Sequence, residues 1–317
     1  MIIKIGLLCR NLVYMKNRFS HLAILLLACL QLSAGASSIG AHGRSAHDTI
    51  PPLAWKEHWF QHNLTLKRVY YDNNIAVYYD KNVSDTTKWP FQILSDAWAY
   101  AKNNYGSLGA KRLYVVLHKG TYGGGHPSGF YSKSHDFRNT IDCGLNDWDG
   151  STDEQILMPI HEMGHLVNDV SHGTFGSPSD AIWGDSKFME IFNYDVLMHI
   201  GHQDMAQRYK AAMLNQADNF PNASTYWFRD WFLPIYENYG REQLLNRYFE
   251  VLSENFPKGK DRRFTRDLNM GEFAHFWSIA AGTDLSDRAR HIFHWGKTEN
   301  DQFIKAKKDF PSPYISR

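Results

Sequence analysis

The residues best suited to chemistry are two histidines, His161 and His165, and the glutamate Glu162 beside the first of them. In a helix, residues four apart lie on one face, so both imidazoles can bind a single Zn²⁺ ion. Such an ion keeps positions for another protein ligand and for a water, which it makes far more acidic. Glu162 lies at the edge of the same face, where it can accept a proton from that water. The pattern predicts a hydrolytic zinc centre with Glu162 as the catalytic residue.

The flanking sequence predicts the helix that this spacing requires. Ser151 and Glu154 have the spacing of a capping box, in which each side chain satisfies a backbone N–H of the first turn. We therefore predict a helix over about residues 152–170, with Pro159 as a point where it could kink. Its buried face would be formed by apolar residues at helical spacing: Ile156, Leu157, Ile160, Met163, Leu166, Val167 and Val170.

A tetrahedral zinc site needs a third protein ligand, and the next predicted helix, residues 179–199, contains the acids Asp180, Asp185 and Glu190. Glu190 is the favoured ligand because it lies in an apolar run, where an unpaired charge is costly to bury. Asp185 is the alternative, although it follows Gly184 and so lies near a helix start or a bend. One rival arrangement is excluded, because the metzincin pattern requires Gly and His where this chain has Asn168 and Ser171.

Several segments together resemble a known family. The segments are His161-Glu-Met-Gly-His165, Trp183-Gly184 and Glu190-Ile-Phe-Asn193, with a weaker likeness over residues 276–285. They resemble the zinc site of gluzincin metallopeptidases, in particular the enhancin-like, mucin-cleaving branch. The resemblance extends over about residues 123–295 and is strong only at the zinc motif.

The resemblance implies zinc bound by His161, His165 and Glu190, with Glu162 as general base and then acid. It also implies a zincin-like α+β fold. No residue of this chain matches the family's transition-state-stabilising position, so that role remains unassigned. The mucin-type substrate is therefore not carried over to this chain.

The first 36 residues have the pattern of a secretory signal peptide. Lys16 and Arg18 precede a short apolar run over residues 22–30, and small residues follow at positions 34–36. The run is too short for a membrane span, which needs about 20 apolar residues. Met15 is an alternative start of the signal peptide. In a second alternative, residues 26–29 form a lipoprotein signal, and Cys29 would carry the lipid. We predict a secreted, periplasmic or cell-surface protein with a disordered leader over residues 37–52.

Composition limits the other function classes. The chain has 34 basic and 33 acidic residues, and the net charge of +1 favours neither nucleic acid nor an anionic membrane as a partner. Cys143 is the only cysteine beyond the signal segment, so we expect a buried free thiol and no intrachain disulfide. A domain of roughly 280 residues can bury enough apolar surface to fold without such a link.

We predict one α+β catalytic domain over residues 53–317 with two lobes. The upper lobe, about residues 53–175, would place a small mixed sheet over the zinc helix. Its expected elements are two strands within 66–79, a helix over 91–105 and a strand over 112–118. The lower lobe, about residues 176–317, would be helical, with later helices expected at 203–216, 225–239, 241–255, 271–281 and 285–295.

The glycine-rich stretch 120–131 has two interpretations. It is either a mobile surface loop or an edge strand, and an edge strand could pair with an extended substrate. His126, within this stretch, and His135, just after it, are predicted to be surface residues and not ligands.

The predicted function is a zinc metallopeptidase that acts on polypeptide or glycoprotein substrates. The first alternative is a zinc amidase or deacylase that acts on glycan or cell-wall material. The second is a surface binding protein that keeps a zincin scaffold without turnover.

Overall fold

The computed structural model describes residues 50–312. The first part of this range forms a mixed six-stranded sheet. The strand order is β1-β2-β3-β4-β6-β5. β3, β4 and β6 run parallel, whereas β2 and β5 run antiparallel to their neighbours. The strands are β1 (Ala54–Lys56), β2 (Thr65–Tyr71), β3 (Ile75–Tyr79), β4 (Leu113–Lys119), β5 (Gly124–Ser128) and β6 (Asn139–Leu145).

Ten α-helices complete the described part of the chain, and all but the first follow the sheet in sequence. The predicted α+β class is therefore confirmed. The helices are α1 (Pro90–Asn104), α2 (Glu154–Val170), α3 (Asp180–Trp183), α4 (Phe188–His199), α5 (Gln203–Met213), α6 (Leu233–Asn238), α7 (Glu242–Asn255), α8 (Met270–Ala281), α9 (Ser286–Phe293) and α10 (Lys297–Asp309). A wider π-helical segment, Trp227–Phe232, leads directly into α6.

The predicted hairpin of β2 and β3 is present, and a side chain fixes its turn. Asp72 Oδ1 accepts hydrogen bonds from the backbone N–H groups of Asn74 at 2.7 Å and Ile75 at 2.8 Å. Such Asx bonding offers the backbone a turn in place of a longer strand. All five residues of β3 are buried, as expected of a strand covered on both faces.

The zinc-motif helix is present as α2, but it begins differently from the prediction. The N-cap residue is Asp153 and not Ser151, and the Asp153 side chain makes no capping hydrogen bond. Gln155 instead accepts from the backbone N–H of Gly150 at 2.6 Å and donates to Asp149 at 2.9 Å. The helix continues through Pro159.

The single helix predicted over residues 179–199 is wrong. It is divided into α3 and α4 by the segment 184–187. Gly184 has φ of 53° and Lys187 has φ of 65°, and backbone in this left-handed region cannot continue a right-handed helix. The break places the carbonyl of Asp185 against α2.

The sheet and the helices share one hydrophobic core. Its members include Val115 of β4, Met163 of α2 and Trp277 of α8. A smaller cluster covers the opposite face of the sheet, which is called the outer face below. It contains Trp55, Trp59, Leu66, Ala76, Tyr78 and Val116.

Within residues 50–312, no helix has the length and apolar character to cross a membrane. The predicted signal segment, Cys29 and the predicted leader up to residue 49 lie outside the described residues.

Candidate metal centre

α2 brings His161, Glu162 and His165 together, as the spacing predicted. One nitrogen of each imidazole and one carboxylate oxygen of Glu162 lie within 4.8 Å of one another. The two ring centroids are 5.0 Å apart. The side chains therefore form a compact set of two nitrogen donors and one oxygen.

The surroundings hold both imidazoles neutral. Burial lowers the pKa of His161 to about 4 and that of His165 well below its usual range. A neutral ring keeps the lone pair that a metal ion requires. Burial also raises the pKa of Glu162 to about 8, with a further contribution from the charge of Asp185. A carboxyl group poised in this way suits a residue that takes up and returns a proton.

Both rings point to one position. The Nε2 atom of His161 donates to the backbone carbonyl of Asp185 at 2.9 Å, and the same carbonyl contacts the ring of His165. A cation held by both rings would take the place of that carbonyl oxygen. The donor set thus fits a divalent ion, and its binding requires the segment 184–187 to shift.

Glu190, the predicted third ligand, lies on the helix that crosses α2 at the motif. A Cβ added to Gly164 would lie 3.3 Å from Met189 Cγ, so the start of α4 packs directly against the residue beside His165. However, the group of donors within 4.8 Å of one another includes neither Glu190 nor Asp185. The role of Glu190 as ligand therefore stays a prediction.

The glutamate itself is in an unfavourable place for a charge. Glu190 is buried, and burial raises its pKa to about 8. Its carboxylate contacts the backbone of Lys187, whose ammonium group lies 3.6 Å from Asp218. A buried acid with so little charge compensation would be stabilised by a nearby divalent ion.

The glycine-rich stretch forms a strand beside Glu162 of α2. β5 is the edge strand next to β6, which confirms the edge-strand interpretation of residues 120–131. A Cβ on Gly125 would lie only 2.2 Å from Oε1 of Glu162, so glycine is needed for β5 to approach the carboxylate this closely. Sequence reasoning did not single out this contact, although the run of three glycines was a signal for close approach.

The predictions for the burial of His135 and Cys143 had different outcomes. His135 was predicted to lie on the surface, but it is buried and stacks on Trp59 with ring centroids 4.3 Å apart. Cys143 is a buried free thiol, as predicted. Burial raises its pKa well above the usual range, which argues against a role as nucleophile.

Comparison with protein-family models found no match to this chain, and comparison with curated proteins found no similar sequence.

Proposed function

We propose that this protein is an exported zinc metallopeptidase. The observation that carries the proposal is the meeting of two neutral imidazoles and a buried carboxyl group beside an edge strand. The resemblance of the zinc motif to gluzincins supports the same conclusion. The predicted signal segment supports export.

The ligands in this proposal are His161, His165 and Glu190. Zinc bound there would polarise the scissile carbonyl and lower the pKa of an attacking water. Glu162 accepts the proton of the water and returns it to the nitrogen of the leaving amine. A carboxylate beside the two imidazoles can carry out this exchange as general base and then as general acid.

The edge strand suggests how an extended substrate is held. β5 pairs with β6 on one side, and in the described part of the chain no strand pairs with its other side. A polypeptide in extended conformation can add to such an edge through backbone hydrogen bonds. Because Gly125 lies against Glu162, a peptide on β5 would lie close to the general base. This arrangement favours a peptide over a glycan as substrate.

The substitution Glu162→Gln tests the role of the general base. We expect it to lower peptide hydrolysis by about 10²–10⁴-fold, the usual contribution of a general base, while zinc content stays unchanged. Glu154→Gln is the matched control, since it makes the same change on the same helix, away from the histidines.

The assay uses a panel of proteins, glycopeptides and acetylated sugars. Full peptide hydrolysis by the Glu162→Gln variant would remove this residue from the mechanism. Cleavage of acetylated sugars alone by the wild-type protein would replace the peptidase proposal with a deacylase.

A further inference from the structure

Four polar side chains meet on the outer face of the sheet, away from α2. Glu57 follows β1, His62 lies in the connection to β2, His118 belongs to β4 and Asp142 belongs to β6. All four are buried, with exposed fractions of 1%, 7%, 0% and 1% respectively. One donor atom from each lies within 4.8 Å of the others. We call these residues the outer-face quartet.

The separations between these donors have the size of the edges of a metal tetrahedron. His118 Nε2 lies 2.9 Å from Glu57 Oε1 and 3.1 Å from Asp142 Oδ1. His62 Nδ1 lies 3.4 Å from the same Glu57 oxygen and 3.0 Å from Asp142 Oδ2. Bonds of about 2.0–2.1 Å to a tetrahedral zinc place neighbouring ligand atoms about 3.3 Å apart. These four separations, 2.9–3.4 Å, are close to that value.

The contacts within the quartet are short, but several are poorly aligned for hydrogen bonds. Glu57 Oε1, His62 Nδ1 and His118 Nε2 are buried and lack a hydrogen-bond partner of acceptable geometry. Leaving a buried polar group unpaired is costly, and more so when the group is charged. Three such atoms in one small group are expected when a bound ion takes the place of hydrogen bonds.

Hydrogen bonds from neighbouring residues orient the side chains of the quartet. His118 Nδ1 faces Asp80 Oδ2 at 3.2 Å, which leaves Nε2 directed at the quartet. Glu57 accepts from the backbone N–H of Leu64 through its other oxygen at 2.8 Å. The indole of Trp59 donates to Asp142 at 2.7 Å. Histidine ligands of metals commonly pair their second nitrogen with a carboxylate in this way.

We propose that the outer-face quartet binds a second divalent ion, Zn²⁺, as a structural site. Two imidazole nitrogens with two carboxylate oxygens suit zinc, whereas Mg²⁺ and Ca²⁺ prefer oxygen donors alone. The burial of all four side chains encloses the position, and closed four-ligand sites are typical of structural zinc. The ion would fasten the connection between β1 and β2 onto β4 and β6.

The rival account is a buried ion-pair network with both imidazoles protonated. Burial opposes protonation of His118, but its carboxylate neighbours raise the pKa of this residue to about 11. Such a network needs no metal. It would, however, require the N–H groups of His62 Nδ1 and His118 Nε2 to be aligned with the facing carboxylates, and neither nitrogen makes a hydrogen bond of acceptable geometry.

The experiment separates this site from the one on α2. A His161→Ala, His165→Ala double variant of the full chain is purified with zinc, dialysed and analysed for metal. We expect it to retain about one equivalent of zinc per chain. Adding His118→Ala should remove that equivalent, whereas adding His135→Ala, at a buried neighbour outside the quartet, should leave it in place. Cobalt substitution should give the intense visible absorption of a tetrahedral site.

A second measurement covers the case in which the His118→Ala variant fails to fold. Zinc added to the metal-free double variant should raise its Tm, because a ligand that binds only the folded state stabilises it. A folded double variant that holds no zinc, and whose Tm does not respond to zinc, would overturn the proposal in favour of the ion-pair network. Neither result depends on peptidase activity, so the proposed function is tested separately.

Discussion

Glu190 and Asp185 are the two candidate acids for the third zinc ligand, and the structure gives them different positions. Glu190 is a buried carboxyl group on the helix that packs against α2. Asp185 contacts the histidines through its backbone carbonyl, in the turn between α3 and α4. A backbone contact is unaffected by a change of side chain. The ligand role is therefore best tested by comparing the two side chains.

We expect Glu190→Gln to weaken zinc binding by more than about 100-fold, since loss of a ligand should exceed the 10–100-fold typical of outer-shell partners. Asp185→Asn should change zinc affinity by no more than a few-fold. Competition with a chromophoric chelator measures both values. The reverse order of effects would assign the third ligand to Asp185.

For individual site residues, the sequence predicted only those positions that local helix geometry determines. His161, Glu162 and His165 share one helix, so their spacing determines their meeting. The distance from Glu190 to the rings depends instead on the left-handed residues Gly184 and Lys187. A lysine in that conformation has no reliable sequence signal.

At the level of single elements, the close contact between β5 and Glu162 predicts the effect of a substitution in this strand. Gly125→Ala places a Cβ 2.2 Å from Glu162 Oε1, so either the carboxylate or the strand must move. We expect kcat/KM to fall by about 100-fold, as is common when a catalytic group is displaced by about 1 Å. Zinc content and Tm should remain close to those of the wild-type protein.

Gly123→Ala is the matched control, because a Cβ at that position meets nothing within 4 Å. Equal activity of the Gly125→Ala and wild-type proteins would show that Glu162 is free to move without loss of function, and would contradict its assigned position.

Elements with strong periodicity were predicted, and those without it were missed. α1 and the β2–β3 hairpin have regular apolar spacing. β6 was missed because Asn139, Thr140 and Asp142 interrupt its apolar pattern, although all three are buried. α10 was missed because only Phe303 and Ala306 of its residues are buried, so it carries no apolar stripe.

Across the whole molecule, one buried carboxylate connects helices that are distant in sequence. Asp195 of α4 accepts hydrogen bonds from Tyr100 of α1 at 2.7 Å and from Tyr236 of α6 at 2.6 Å. His199 Nδ1 lies 3.3 Å from the same carboxylate, and its Nε2 lies 3.5 Å from Glu242 of α7. Four helices thus meet at this network.

This network makes stability depend on pH. The hydrogen bond to Asp195 raises the pKa of His199 to about 9, from an unfolded value of about 6.5. The stabilisation is complete below about pH 6.5 and is lost as the pH rises through about 9.

We expect His199→Gln to cost about 1–2 kcal/mol of unfolding free energy at pH 6, allowing for the partly exposed ring. The charge-dependent part of this cost should disappear by about pH 10. Urea unfolding at both pH values measures this loss of unfolding free energy. His291→Gln, at an exposed histidine, is the control. A cost that does not change with pH would mean that the ion pair adds no stability.

The overall class of the molecule could be predicted, but contacts between distant segments could not. Strand and helix patterns are local, and they indicated an α+β chain with the sheet first. The outer-face quartet joins Glu57 to Asp142 across three intervening strands. Its members carry no common motif spacing, so only the folded sheet shows that they belong together.

We propose that His161 and His165 hold a zinc ion beside Glu162. Anomalous X-ray diffraction above the zinc absorption edge, from crystals of the zinc-loaded protein, tests this proposal. We expect an anomalous peak bonded to a ring nitrogen of each histidine and to a carboxylate oxygen of Glu190. Crystals of fully loaded protein with no peak within bonding reach of the two rings would contradict it.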